Sequence, residues 1–135
     1  MTALTADRNT PQRSGDNRSF PVKGATTVFA GAMVALDPTG MLVPASATAT
    51  LKIVGRNERQ IVNAGADGSV RADVKTGIFR FANSASTDVI ALADIGSDCY
   101  AVDDQTVAKT SNSSARPVAG TIFDVDDQGV WVKFS

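Results

Sequence analysis

Short apolar runs separated by turn residues recur from Thr26 to the end of the 135-residue chain, and few folds accommodate that rhythm. Residues 26–36 (TTVFAGAMVAL) are rich in β-branched and apolar groups, and Asp37-Pro38-Thr39-Gly40 follows. Proline there is preset for the second position of a turn and glycine closes it, so Met41–Pro44 is expected to return as the second arm of a hairpin. Leu51–Val54 and Ile61–Val62 read as further short strands. Val70, Ala72 and Val74 alternate with Arg71, Asp73 and Lys75, the period of a half-buried strand. Gly77–Phe81 continues in that style, with Gly77 expected to mark a bulge or bend. Two aspartate-rich turns, Asp103-Asp104-Gln105 and Asp126-Asp127-Gln128-Gly129, divide the last third into two hairpins. One helix is expected, over Thr87–Gly96. Ser86 or Thr87 would cap it, Asp88 suits its positive end, and Gly96 would close it. The expected fold is mainly β, a small antiparallel barrel or sandwich with one short helix.

Residues 1–24 differ from the rest. They are polar, contain Pro11, Gly15, Pro21 and Gly24, and carry only Leu4, Phe20 and Val22 as large apolar groups beyond the first methionine. Such a segment buries too little apolar surface to offset its ordering entropy, so it is expected to be an extended arm preceding a domain at 25–135.

Composition removes several kinds of chemistry. There is no histidine, and one cysteine, Cys99, in an apolar strand where a buried, inert thiol is expected. There is no Ser-x-x-Lys, no Gly-x-Ser-x-Gly and no phosphate-binding glycine loop. An enzyme is therefore not expected, and neither a cofactor nor a metal. The aspartates at 94, 98, 103, 104, 124, 126 and 127 admit a hard cation, but Asp124–Gly129 lacks the glutamate and flanking helices of a calcium loop. Aspartate favours turns because its carboxylate binds nearby backbone N–H groups. Residues 1–24 and 25–87 each balance at +2, and 88–135 at −5. That is too weak a basic footprint for nucleic acid, and Arg56, Arg59, Arg71 and Arg80 fall on different strands. Phe79, Phe81, Phe123 and Phe134 are expected in the core. No apolar run is long enough to cross a membrane, and the N-terminus lacks a signal sequence, so synthesis in a reducing cytoplasm is expected.

Two stretches, Ala93–Val107 and Ala119–Val132, together resemble the small head proteins of Mu-like and related tailed bacteriophages, which are similar to the lambda-type head decoration proteins. The order of segments is also similar: a polar arm, a hairpin region, the Gly77–Phe81 strand, a short helix and a closing hairpin. The resemblance implies a β-barrel or β-tulip domain on the outer surface of an expanded capsid. It also implies the major capsid protein as partner, a homo-oligomer (a trimer ahead of a dimer), and an N-terminal arm that becomes ordered on the shell. Arg8, Arg13, Arg18, Phe20 and Val22 are the expected capsid contacts. Two alternatives remain open: a tail or head–tail joining component, and a small ion- or carbohydrate-binding β-module, for which Tyr100 and Trp131 are the only Tyr and Trp.

Overall fold

A computed structural model describes residues 2–13 and 15–134. Twelve strands and no α-helix are found among them, so the mainly β expectation holds. The first sheet comprises β1 (Asn17–Pro21), β3 (Met33–Leu36), β4 (Leu42–Pro44), β5 (Lys52–Asn57) and β7 (Arg71–Lys75), in the spatial order β1-β7-β5-β3-β4. The second comprises β8 (Gly77–Phe81), β9 (Asp98–Ala101), β10 (Val107–Ala108), β11 (Val118–Asp126) and β12 (Gly129–Phe134), in the order β10-β9-β11-β12-β8. β2 (Thr26–Val28) and β6 (Ile61–Asn63) form a separate two-stranded ribbon. All ladders are antiparallel. The outer strands of each five-stranded sheet meet at one parallel bridge, Val22 with Leu42 in the first and Ala82 with Thr106 in the second.

The two five-stranded sheets share one strand order. Pairing β1 with β8, β3 with β9, β4 with β10, β5 with β11 and β7 with β12 reproduces one strand order from the other. The match extends to single hydrogen bonds, 65 residues apart. Gly31 N–H binds Asn57 O, and Gly96 N–H binds Ile122 O. Asn57 N–H binds Ala32 O, and Ile122 N–H binds Ser97 O. Asp37 N–H binds Met41 O, and Val102 N–H binds Thr106 O. Both central strands carry a bulge one residue before a glycine that lies against the neighbouring strand. A methyl group on Gly55 would stand 2.6 Å from Lys75 O, and one on Gly120 would stand 2.5 Å from Lys133 O.

Two apolar clusters fill the interior. One is confined to the first half and its ribbon, around Val22, Val28, Val34, Leu42 and Val74. The other gathers Phe81, Cys99, Ile122, Val130, Val132 and Phe134, and takes Met33 and Ala45 from the first half. Phe81 and Phe134 are buried as expected and Phe79 packs partly against them, but Phe123 is 54% exposed. Its position explains this: the β11–β12 register jumps from Ile122 to Asp124, so Phe123 is the bulged residue and leaves the inward alternation.

Two further sequence expectations need correcting. The expected helix over Thr87–Gly96 is a pair of single 3₁₀ turns, Ser86–Asp88 and Leu92–Asp94, with Val89 extended between them. Asn83 grips the backbone of Ile90 on both sides, donating to its carbonyl and accepting from its N–H, each at 2.9 Å. That contact holds buried Ile90 in the core, and continuous helical winding would have to break it. The arm, in turn, ends near residue 16 rather than 24, because Asn17–Pro21 is a full strand of the first sheet.

Candidate functional site

The segment expected to make contacts has two physical parts. Residues 2–13 are exposed and form no strand or helix; Arg8 donates to its near neighbour Thr10 Oγ1 at 3.2 Å. From Gly15 the chain becomes anchored. Thr76 Oγ1 donates to Gly15 O at 2.8 Å, and Thr76 N–H to Asp16 O at 2.9 Å. β1 then lies against β7, with Arg71 holding Ser19 through Oγ (2.9 Å) and the carbonyl (2.8 Å). β1 is an outermost strand, so its far edge has no ladder between Asn17 and Pro21.

The five expected contact residues divide accordingly. Arg8 and Arg13 sit on the exposed arm. Arg18 is half-buried, with its guanidinium 4.6 Å from the centre of the Phe20 ring. Phe20 packs against the first core cluster. Val22 is wholly buried, so it is a core residue and not a surface contact. The spacing of Phe20 and Val22, two apart with Pro21 between, is the strand signal that marks them as inward-facing.

Several of the candidate cation-binding carboxylates accept bonds from their own backbone. Asp94 accepts from Ala91 N–H, Asp103 from Gln105 N–H and Asp126 from Gln128 N–H, at 2.8–2.9 Å. The indole N–H of Trp131 also donates to Asp126, and these bonds hold that carboxyl below its ordinary range. Asp37 accepts from the Thr39 hydroxyl and from the N–H groups of Met41 and Thr39, which lowers its carboxyl to about 2. Among the described residues, no three His, Cys, Asp or Glu side chains gather to hold a metal ion. Cys99 is buried, and desolvation pushes its thiol up to about 12, so it stays protonated. Tyr100 and Trp131 line different clefts, of about 510 and 400 Å³, and form no common stacking platform.

In comparisons with family models, curated proteins and solved structures, nothing matches this chain.

Proposed function

We propose that this chain is a non-catalytic structural protein that binds the outside of an expanded tailed-phage capsid and stabilises it. The observation that carries the reading is the junction at residues 15–17, where an exposed polar arm feeds straight into an open sheet edge. An extended arm adds a strand to a partner sheet through main-chain hydrogen bonds, with Arg8 and Arg13 supplying charge. β1 then ties the arm to a body cross-linked by two sheets, so force on the arm is spread over a folded unit. The major capsid protein is the proposed partner, and repetition over the shell makes weak single contacts sufficient.

The test is co-sedimentation with expanded, empty capsids from the same genome. Full-length protein should pellet saturably. Deleting residues 2–13 should weaken binding at least tenfold and leave the melting temperature unchanged, because those residues are exposed and cover no core. Full-length protein that remains in the supernatant would refute the reading.

A further inference from the structure

The second sheet has an open edge of its own. β8 is its outermost strand and pairs on one side with β12. Just beyond it, Ala82 turns both backbone groups the other way: its N–H binds Gln105 O at 2.8 Å and its carbonyl accepts Val107 N–H at 3.0 Å. Backbone groups of successive strand residues point to opposite sides. Phe81, Phe79 and Gly77 therefore face β12, and Arg80 and Ile78 face away from it. The N–H and carbonyl groups of Ile78 and Arg80 line an edge where, among the described residues, no ladder forms.

The cleft of about 400 Å³ that Trp131 lines runs along this edge. Ile78, Phe79, Arg80 and Phe81 all border it. Alternate strand side chains leave by opposite faces, so four consecutive residues share one cleft only where it follows the strand's edge. Each face carries a guanidinium. On the core side, Arg56 lies 4.1 Å from the centre of the Phe79 ring. On the outer side, Arg80 lies 5.5 Å from the ring centre of Trp131, its opposite residue on β12. Neither group is fully used. Arg56 gives Nη2 to Glu58 at 2.7 Å, but its Nε is buried with no acceptor. Arg80 is exposed, and among the described residues no carboxylate forms an ion pair with it. A buried donor left without an acceptor costs free energy until a partner supplies one.

We infer that this edge is a docking site for an extended acidic segment of a partner protein, added to the second sheet as a strand beyond β8. Main-chain bonds to Ile78 and Arg80 hold the segment, and its side chains decide which segment is taken. Adjacent residues of an added strand point to opposite faces. Two neighbouring carboxylates therefore meet one guanidinium each, Arg56 on the core side and Arg80 on the outer side. The chain's own arm has the wrong charge for this place, with Arg8 and Arg13 against Asp7 in residues 2–13. The contact uses β8 and needs no shell, whereas the capsid reading uses the arm and β1, so either can fail without the other.

Trp131 is the only tryptophan and lines the cleft, so its fluorescence reports occupancy in the purified full-length chain. The probe is a blocked synthetic peptide, Thr-Val-Asp-Glu-Val-Thr. Titration should give a saturable change in emission that weakens as salt is raised. The same peptide with Asn-Gln at its centre should bind roughly tenfold more weakly. Arg80→Gln should weaken binding of the acidic peptide by a similar roughly tenfold factor. Its melting temperature should hold, because the side chain is exposed. Amide exchange should slow at Ile78 and Arg80 when the acidic peptide is bound.

Three results would overturn the proposal. Emission that stays constant up to about 1 mM peptide means that nothing docks, and that the two guanidinium groups only guard the edge against stray strands. Equal affinity for the acidic and amide peptides, or unchanged affinity in Arg80→Gln, means that the arginines read no charge. Binding that leaves the Ile78 and Arg80 amides exchanging at their free rates places the peptide off the edge.

Discussion

The two halves of this molecule share a strand order, two bulges and a set of backbone hydrogen bonds, yet residues 31–57 and 96–122 are identical only at Gly31/Gly96, Ser46/Ser111 and Gly55/Gly120. Two of those three pairs are glycines at positions where the backbone demands them. Gly31 and Gly96 have φ of +81° and +93°, in the left-handed region that penalises a Cβ. Gly55 and Gly120 allow β5 and β11 to press against Lys75 and Lys133. Apolar positions elsewhere exchange freely, Val34 for Cys99 and Leu42 for Val107, because a core asks for volume and apolarity more than identity. The topology therefore rests on a few backbone constraints, and the rest of each half is free to specialise.

The largest expected effect tests that statement. Gly55→Ala and Gly120→Ala should each destabilise the protein by about 3 kcal/mol in denaturant unfolding, since the new methyl meets a backbone carbonyl and a valine Cγ1 that cannot swing away. Gly55 should suffer more, because its φ of +148° adds backbone strain that Gly120 does not carry. If Gly120→Ala is neutral while Gly55→Ala is severe, the requirement is conformational and belongs to Gly55 alone, and the close approach common to both is incidental.

This is also why the duplication was illegible in the sequence while much of the fold was not. The Asp37–Gly40 hairpin, the alternation from Val70 to Val74 and the closing hairpins announce themselves through turn chemistry and period, which are local. A repeat whose shared residues are chiefly two glycine pairs has no such signature. The helix expected over 87–96 failed for the complementary reason: local propensity was overridden by Asn83 gripping Ile90. Within the candidate site, the exposed residues 2–13 follow from composition alone. The inward role of Phe20 and Val22 follows only from their spacing, because Pro21 and Gly24 make the surrounding stretch read as coil.

The second contrast lies at Asn57, whose equivalent is Ile122; both are buried. The Asn57 amide nitrogen donates to the carbonyls of Val28, Phe29 and Arg59, at 3.2, 3.0 and 2.7 Å, and so ties the ribbon's approach to the sheet. The second half has no ribbon and uses an apolar side chain instead. Asn57→Ile should cost roughly 2 kcal/mol, the price of orphaned carbonyls partly offset by removing an Oδ1 that finds no partner. Ile122→Asn should cost more, about 3 kcal/mol, since nothing around it replaces the lost apolar contacts with hydrogen bonds. Amide exchange would sharpen the comparison: Asn57→Ile should speed exchange in β2 and β6 and leave β9–β12 protected. Uniform acceleration would mean that the ribbon and the second half unfold as one unit.

The smallest effect concerns the two matching turns. Asp37 accepts three donors from its own turn, whereas the equivalent residue is Val102 and the neighbouring Asp103 accepts the N–H of Gln105. The carboxyl of Asp37 titrates near 2 in the folded chain, below its ordinary 3.8. A lowered folded-state value means that the charged form stabilises the fold; that contribution is complete above about pH 4 and fades as pH falls toward 2. Asp37→Asn should therefore lower the melting temperature at pH 6, and the gap from the wild type should close by about pH 2, where the native carboxyl is itself protonating. Asp103→Asn should shift the pH 6 melt less, because fewer donors depend on its charge. A gap at Asp37 that stays constant from pH 6 to pH 2 would show that the turn is held by the shape of its side chain, and that charge does not distinguish the first hairpin from the second.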